Sequence, residues 1–472
     1  MINFWDSNVW GFITVMAVLS GSLLLANLLK KSILFLKRSL IPTSVLGGLI
    51  LLIISLIFEQ ISGKEFFNTE FFGYNGQNIL EMLTYHCLAL GFIASTFSSI
   101  DTNFNKKRNR EIFDTGVTTV STYIIQGIFG LGFTILISLV VKDFFPAAGV
   151  LLPFGYGQGT GQAMNYGTIY ETDFGFAGGK MFGLSVAALG FLSASIGGVI
   201  HLNILRKKGL YKFTDTEIVE ALNNEDIQSN DEIPMNGSID KMSIQVAITF
   251  LAYVVSYIVI YVLAKLVPGF QSILYGFNFL FGVIFASLIK SILKFLRKKK
   301  IVEKQYINPF LMKRICGFCF DIMIVAGIAA IRLELLKGTW IELLVLGLIG
   351  AFITYFYLRI VCRSNFQNYE EEEFLAMYGM LTGTASTGMI LLRQVDPEFK
   401  GPVAENLVYQ NFPAIVFGFP MMLLATLAPK KPVLTFLILI GFFLVLQIIL
   451  FRRRIFISKR RLERKAKKKL DN

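Results

Sequence analysis

A glycine-rich segment in the first half of the chain, 155–165, carries residue types that suit a small cation or an anionic substrate. Its glycines, at alternate positions, disfavour both a stable helix and a packed strand, so free backbone N–H and C=O groups are expected there. Amide and hydroxyl oxygens beside them suit a small hard cation such as sodium. An alternative is that the glycines only permit close packing of helices. The expected contacts to a bound substrate are Gly157, Gln158, Gly159, Thr160, Gly161 and Asn165, and the expected sodium ligands are Thr160, Gln162 and Asn165.

A second segment, 379–397, concentrates hydroxyl groups where an apolar helix would otherwise continue. Four hydroxyls fall within six residues, which is hard to reconcile with a helix that faces lipid. Arg393 has two possible roles: a bidentate fork for a carboxylate, or an anchor at the cytoplasmic end that snorkels or pairs with Asp396. The expected substrate contacts are Thr384, Ser386, Thr387 and Arg393, and the expected sodium ligands are Thr382, Thr384 and, further along the chain, Asn411.

The composition indicates that both segments belong to a membrane protein. Of the 472 residues, 54% are hydrophobic and 16% are charged, whereas an ordinary soluble domain has about 25% charged residues. Mostly apolar runs of about 20 residues recur, and such a helix can cross a hydrocarbon core of about 30 Å. Runs of this length argue against the shorter, alternating strands of an outer-membrane barrel. We therefore predict an all-α polytopic membrane protein.

Lysine and arginine residues in the short loops set the predicted orientation, because positively charged loops stay in the cytoplasm. The rule places the N-terminus outside and the basic C-terminal tail inside. The glycine-rich stretch 144–174 then begins and ends outside and is predicted to be too broken for a helix. The hydroxyl-rich stretch 374–399 begins and ends inside, so both are predicted to be re-entrant hairpins. The predicted helices lie near 9–29, 41–58, 79–98, 115–141, 175–205, 242–266, 272–296, 311–332, 341–361, 404–428 and 433–451.

These helices fall into two halves of opposite orientation, each with four helices, one hairpin and one further helix. The two hairpins share the pattern Gly-x-x-x-Gly-Thr, at 155–160 and 379–384. Inverted repeats with a broken hydrophobic segment in each half are typical of secondary transporters, which bind substrate and coupling ion near the membrane midplane. The predicted parts are an N-terminal repeat (1–205), a cytoplasmic linker (206–241), a C-terminal repeat (242–428), an extra helix (429–451) and a basic cytoplasmic tail (452–472).

In these features the chain resembles the bacterial sodium/glutamate symporter family. The resemblance rests on Gly157-Gln-Gly-Thr-Gly161, the Ile41–Gly48 entry to the second helix, the Asn368-Tyr369 lead into the second hairpin and the acidic linker. It implies uptake of glutamate or a related small anion, with sodium as the coupling ion and no cofactor. It also implies a homodimer in the bacterial inner membrane, and alternating access by an elevator movement of the hairpins past a fixed scaffold.

The chain departs from the family pattern in both hairpins. Tyr156 and Gln158 replace a glycine and a histidine of the first motif, and Thr384–Thr387 replaces a glycine-rich, proline-containing stretch of the second. These replacements leave the predicted fold unchanged and leave the substrate open. A proton-coupled carrier, or a carrier of another carboxylate, would use the same scaffold, and an ion channel is a further alternative.

Other functions find little support in the sequence. An enzyme would need a nucleophile with a base or a metal cluster, yet the two histidines have no suitably spaced partner and Cys316-Gly-Phe-Cys319 lacks a second pair. One of these histidines, His201, is expected at the membrane interface. The tail carries eleven basic residues between Arg452 and Lys469 and is predicted either to lie on anionic lipid headgroups or to act only as a topogenic signal. Binding to nucleic acid is not expected, because the charge lies at the membrane.

Overall fold

The computed structural model describes residues 3–98, 106–209, 232–234, 239–268, 271–276, 278–336, 338–366, 368–396 and 401–470. These residues form α-helices and short 3-10 helices, with one isolated β-bridge between Glu232 and Gln305 and no strand among them. The prediction of an all-α protein is confirmed. Most of the predicted linker 206–241 lies outside the described residues, as do 397–400 at the end of the second hairpin.

The α-helices are labelled in chain order. They are α1 (Ser7–Ser32), α2 (Leu34–Ser39), α3 (Thr43–Ser62), α4 (Gly76–Ser98), α5 (Lys106–Ser138), α6 (Leu151–Gln158), α7 (Thr160–Phe174), α8 (Gly179–Lys207), α9 (Lys241–Leu266), α10 (Gln271–Gly276), α11 (Asn278–Lys298), α12 (Pro309–Ala329), α13 (Trp340–Asn365), α14 (Glu370–Thr382), α15 (Ala385–Arg393), α16 (Val403–Tyr409), α17 (Asn411–Leu427) and α18 (Pro432–Leu470). The 3-10 helices are Phe66–Asn68, Glu70–Phe72, Pro146–Val150 and Leu333–Leu336.

Local chemistry explains where several helices begin and end. The side chains of Asp6 and Asp240 accept hydrogen bonds from backbone N–H groups in the first turns of α1 and α9. Asn308 caps α12 in the same way, with Pro309 at the first helical position. These caps satisfy N–H groups that have no partner within the helix. Helix α3 ends at Gly63, whose φ of +67° is a left-handed conformation that glycine adopts without strain.

Nine helical segments in the described part of the chain are long and apolar enough to cross a membrane, which confirms a polytopic membrane protein. They are α1, α3, a segment ending with α4 (Glu70–Ser98), α5, α8, α9, α11, α13 and the first part of α18 (Pro432–Arg452). The predicted continuous helix 404–428 is wrong, because α16 and α17 are separate helices divided at Gln410. Pro413 explains the division, since it has no N–H to bond the carbonyl four residues earlier.

Contacts divide the chain into two compact units. The first unit consists of Met1–Thr102, Thr160–Ala188 and Asp215–Lys337. Within it, α4 packs along α12, and α3 and α11 pack against this pair. Gly91 of α4 permits the close approach, because a Cβ there would lie 2.5 Å from the Phe320 ring of α12.

The second unit consists of Asn103–Gly159, Leu189–Thr214 and Gly338–Asn472. Its centre is α5, which contacts α6, α13, α17, α18 and the 3-10 helix Pro146–Val150. Helices α14 and α15 pack against each other, and α14 also contacts α13. Each compact unit therefore takes segments from both halves of the sequence, so the units differ from the predicted division into repeats.

Candidate functional site

The glycine-rich segment forms two helices, α6 and α7, separated by the single residue Gly159. The backbone of Gly159 has φ +83° and ψ −171°, a conformation open essentially only to glycine. The prediction that the alternate glycines prevent helix formation is wrong, since Gly157 lies in α6 and Gly161 lies in α7. Only Gly159 breaks the helix, directly after Gln158, the half-buried last residue of α6.

The two helical glycines permit close packing. A Cβ at Gly157 would lie 2.1 Å from the ring of Tyr123, whose hydroxyl donates to the Gly157 carbonyl at 3.1 Å. A Cβ at Gly161 would lie 2.9 Å from Leu88 and 3.0 Å from the sulfur of Met323. The packing role that the sequence left open therefore applies to both positions.

Three polar residues of α7 that the sequence predicts as sodium ligands are buried in the first unit. The hydroxyl of Thr160 lies 3.4 Å from the carbonyl oxygen of Met323, which accepts its hydrogen bond. Asn165 donates through Nδ2 to the carbonyl oxygen of Gly276 at 2.6 Å. Gln162 is 1% exposed, and neither Oε1 nor Nε2 has a hydrogen-bond partner among the described residues. Buried polar groups are nearly always paired, so the unpaired amide distinguishes Gln162 from Thr160 and Asn165.

The hydroxyl-rich segment forms a helix–turn–helix in the second unit. Helices α14 and α15 flank the turn at Gly383–Thr384. The two helices approach with backbone contact, because a Cβ at Gly388 would lie 2.4 Å from the carbonyl oxygen of Ala376. The hairpin is therefore a tightly packed unit rather than an open loop.

The hydroxyls of the hairpin make local hydrogen bonds. Thr384 caps α15 by accepting from the backbone N–H of Thr387 at 3.2 Å, and its hydroxyl lies 3.1 Å from the Thr387 hydroxyl. Thr382 donates to the carbonyl oxygen of Tyr378 at 2.6 Å. The backbone of Ser386 lies in the first turn of α15, and Arg393 is the half-buried last residue of that helix.

A buried polar row on α5, which the sequence analysis missed, contacts this hairpin. Gln126 donates through Nε2 to the carbonyl oxygen of Leu381 at 2.9 Å and to the Thr354 hydroxyl at 2.8 Å. The Leu381 carbonyl, in the last turn of α14, thus gains a hydrogen-bond donor that the helix itself does not supply. The signal is present in the sequence as hydroxyl and amide residues at helical spacing within an apolar helix, namely Thr115, Thr118, Thr119, Thr122 and Gln126, all buried.

The same row contacts α14 and the break between α16 and α17. Glu373 of α14 accepts hydrogen bonds from the Thr115 hydroxyl at 2.8 Å and from Asn406 Nδ2 at 3.2 Å. The Thr119 hydroxyl donates to Gln410 Oε1 at 2.8 Å. Gln410 in turn donates to Asn411 Oδ1 at 3.0 Å, so the predicted ligand Asn411 already has a partner at that oxygen. Glu373 is a buried polar residue that the predicted site did not include.

A second buried cluster involves His201, which the sequence predicts at the membrane interface and which the structure places inside the protein. His201 is 2% exposed, with Nε2 2.9 Å from a Glu371 oxygen and Nδ1 2.7 Å from the Tyr355 hydroxyl. Arg359 donates to both Glu371 oxygens, at 2.5 Å each. Burial opposes ionisation of Glu371, but hydrogen bonds from His201 and Arg359 outweigh it and lower its pKa to about 2. The cluster ties α8, α13 and α14 together.

The fold and these features together define a class of protein. A polytopic all-α protein whose helices break at buried polar positions is typical of secondary transporters, because irregular backbone at membrane depth occurs where it lines a path or is buried in protein. The family model described as sodium/glutamate symporter matches residues 10–400 of the chain. The chain therefore belongs to the sodium/glutamate symporter family, whose function is sodium-coupled symport of glutamate, and the resemblance seen in the sequence is confirmed. No curated protein matches the chain.

Proposed function

We propose that the chain takes up glutamate or a related small anion together with sodium, and that α7 supplies part of the binding site. The observation that carries this assignment is the Gln162 amide, which is buried and has no hydrogen-bond partner at either polar atom within the described part of the chain. Its Oε1 suits a sodium ion, and its Nε2–H suits a carboxylate oxygen of the substrate. Thr160 and Asn165 complete the proposed sodium ligands of this helix. Gly157, Gln158, Gly159 and Gly161 are the proposed backbone and side-chain contacts to the substrate.

The hairpin α14–α15 is the second proposed binding element. The Thr382 hydroxyl makes one local hydrogen bond and the Thr384 hydroxyl makes two, both with Thr387. When Thr384 donates to the Thr387 hydroxyl, each of the two oxygens keeps a lone pair that sodium could use. Ser386, Thr387 and Arg393 are the proposed substrate contacts, with Arg393 offering a bidentate fork to a carboxylate. Asn411 is the remaining proposed sodium ligand.

Uptake into proteoliposomes tests the coupling and the substrate. Purified protein is reconstituted and given radiolabelled glutamate with an inward sodium gradient, and an inward potassium gradient is the control. Sodium-dependent accumulation above the external concentration, with the membrane potential clamped at zero, supports the proposal and excludes a channel, which cannot move its solute against an electrochemical gradient. Uptake driven by a proton gradient without sodium, or uptake only of another carboxylate, would instead support the alternative carriers. We propose no enzymatic activity and no cofactor other than the coupling ion.

The movement and assembly of the protein are further parts of the proposal. We propose two inverted repeats, 1–205 and 242–428, which exchange access to the two sides by an elevator movement, and a homodimer in the bacterial inner membrane. The N-terminus is placed outside and the C-terminus inside. Labelling of single cysteines at Ser7 and at Asn472 in intact cells checks this orientation, because a membrane-impermeant reagent should modify only the first.

The extra helix and the tail have a proposed role at the lipid surface. Helix α18 continues without a break from its apolar part into the basic segment 452–470, beyond the region that the family model matches. Its apolar part packs on α5 and α13 within the second unit, since Arg452 pairs with Asp114 at 2.7 Å and Gln447 donates to the Tyr357 hydroxyl at 2.7 Å. We propose that the basic segment lies on anionic headgroups, at about 1 kcal/mol per basic residue near the surface. Truncation after Arg452 should then weaken the dependence of uptake on anionic lipid.

A further inference from the structure

Glu373 is a carboxyl group without contact to solvent. It lies in the first turn of α14, is 0% exposed, and receives hydrogen bonds only from the neutral groups Thr115 Oγ1 and Asn406 Nδ2 among the described residues. The preceding residue, Glu372, is partly exposed. Burying an ionised carboxylate is costly unless a positive charge is paired with it, and such a group tends to become neutral instead.

The charges around Glu373 are engaged with one another. On α5, Arg108 forms ion pairs with Glu111 and with Glu405 of α16, at 2.9 Å each. Glu371 is paired with Arg359 and His201. Within the described part of the chain, no lysine, arginine or histidine forms an ion pair with Glu373. Further titratable groups on the elements packed against the hairpin are Cys362 on α13, Tyr369 before α14, Tyr156 on α6 and Arg393 on α15.

The single hydrogen of the Thr115 hydroxyl distinguishes the protonated from the ionised form of the Glu373 carboxyl. The Thr115 hydroxyl lies 2.8 Å from Glu373 Oε1 and 3.0 Å from the carbonyl oxygen of Glu111. A hydroxyl has one hydrogen and cannot donate fully to both oxygens. If Glu373 carries a proton, its O–H donates to Thr115 Oγ1, and Thr115 donates to Glu111, so both short contacts become hydrogen bonds. With Glu373 ionised, its carboxylate and the carbonyl oxygen of Glu111 would share the one hydrogen of the Thr115 hydroxyl.

We propose that Glu373 is a proton-binding site, whose carboxyl holds a proton while α14 packs on α5 and α16 and releases it to water when that packing opens. Neither α14 nor α15 is among the membrane-spanning helices. Burial of the Glu373 carboxyl raises its pKa to about 7. The proton therefore exchanges near neutral pH. The site adds a proton-dependent step to the proposed sodium-coupled uptake, and its transport consequence rests on that proposal.

The infrared C=O stretching band of a protonated, buried carboxyl tests the site directly in purified protein in lipid nanodiscs. We expect this band at pH 6 and its loss at pH 8.5, and we expect it to be absent from Glu373→Gln at both. Glu372→Gln removes a carboxyl from the same turn and should keep the wild-type band. A wild-type spectrum at pH 6 from which Glu373→Gln removes no band would overturn the proposal.

Two further measurements keep the test decisive. Thr115→Val removes the oxygen that accepts the carboxyl O–H, so the band should shift in frequency, and an unshifted band would contradict the geometry even if Glu373→Gln fails to fold. In proteoliposomes, the dependence of uptake on internal pH should be lost in Glu373→Gln and kept in Glu372→Gln. If wild-type uptake proves independent of sodium, the proposed function fails, whereas the infrared result still decides the proton site.

Discussion

The side-chain amide of Asn165 donates to the carbonyl oxygen of Gly276 across 2.6 Å. This bond joins α7 to the last residue of α10, the point at which the helix ends. Gln162 lies three residues earlier on α7, and its amide has no hydrogen-bond partner in the ranges that the structure describes. The sequence predicts both residues as sodium ligands and Asn165 also as a substrate contact. In the structure the Asn165 amide makes a contact within the protein, whereas the Gln162 amide makes none with the described residues.

Replacing Gln162 should therefore impair transport without impairing the fold. In Gln162→Leu, removal of a buried, unpaired amide should leave the melting temperature unchanged or raise it, because no protein hydrogen bond is lost. Sodium-driven uptake should fall by about tenfold or more, which corresponds to about 1.4 kcal/mol of lost interaction. The matched control is Gln60→Leu, at an exposed position near the end of α3. Wild-type uptake and sodium affinity in Gln162→Leu would remove this residue from the site.

Replacing Asn165 should act mainly on stability. Asn165→Leu leaves the carbonyl oxygen of Gly276 without its partner in a buried place, at a cost of about 1–3 kcal/mol. The melting temperature of the purified protein should fall even without sodium, and because Asn165 is also a proposed sodium ligand, the rise in melting temperature that sodium produces should become smaller. If the melting temperature stays at the wild-type value while sodium no longer stabilises the protein, Asn165 acts as a sodium ligand and not as a structural anchor.

The sequence predicts the helices well because apolar length and basic loops are local properties. Runs such as 242–266 and 341–361 reappear as α9 and α13 with ends shifted by a few residues. The glycine-rich segment is predicted less well, since counting glycines does not reveal which of them faces a neighbouring helix. Gly157 and Gly161 lie in helices that pack closely on Tyr123 and Leu88, and neither neighbour is close in sequence.

The polar clusters of the second unit form between residues that are far apart in the sequence, so the sequence alone does not predict them. Glu373 meets Thr115 at a separation of 258 residues, and His201 meets Glu371 at 170. Each residue alone has an ordinary explanation, such as a charge at a helix start or a histidine at an interface. Only the packing of α5, α8 and α14 reveals that both acidic side chains are buried.

The break at Gly159 should tolerate no side chain. At φ +83° and ψ −171° an alanine is strained by about 1–3 kcal/mol, so Gly159→Ala should lower the melting temperature or straighten the break and abolish uptake. Gly441→Ala is the control, because Gly441 lies within α18 with open space around its Cα, and alanine there should be neutral or stabilising by up to about 1 kcal/mol. Equal behaviour of the two variants would show that the conformation of Gly159 is not required.

The cluster of His201, Arg359 and Glu371 should make the free energy of unfolding depend on pH in the acidic range, below about pH 4.3. The folded-state pKa of Glu371 is lowered to about 2, below the ordinary value of about 4.3. Its contribution is therefore present above about pH 4.3 and is lost as the pH falls towards 2. Glu371→Gln breaks the ion pair with Arg359, leaves that charge buried and should destabilise the protein by about 3–5 kcal/mol at pH 7. Glu372→Gln should change the melting temperature little, and a comparable loss in both variants would mean that removal of negative charge from this turn, rather than the buried ion pair, sets the stability.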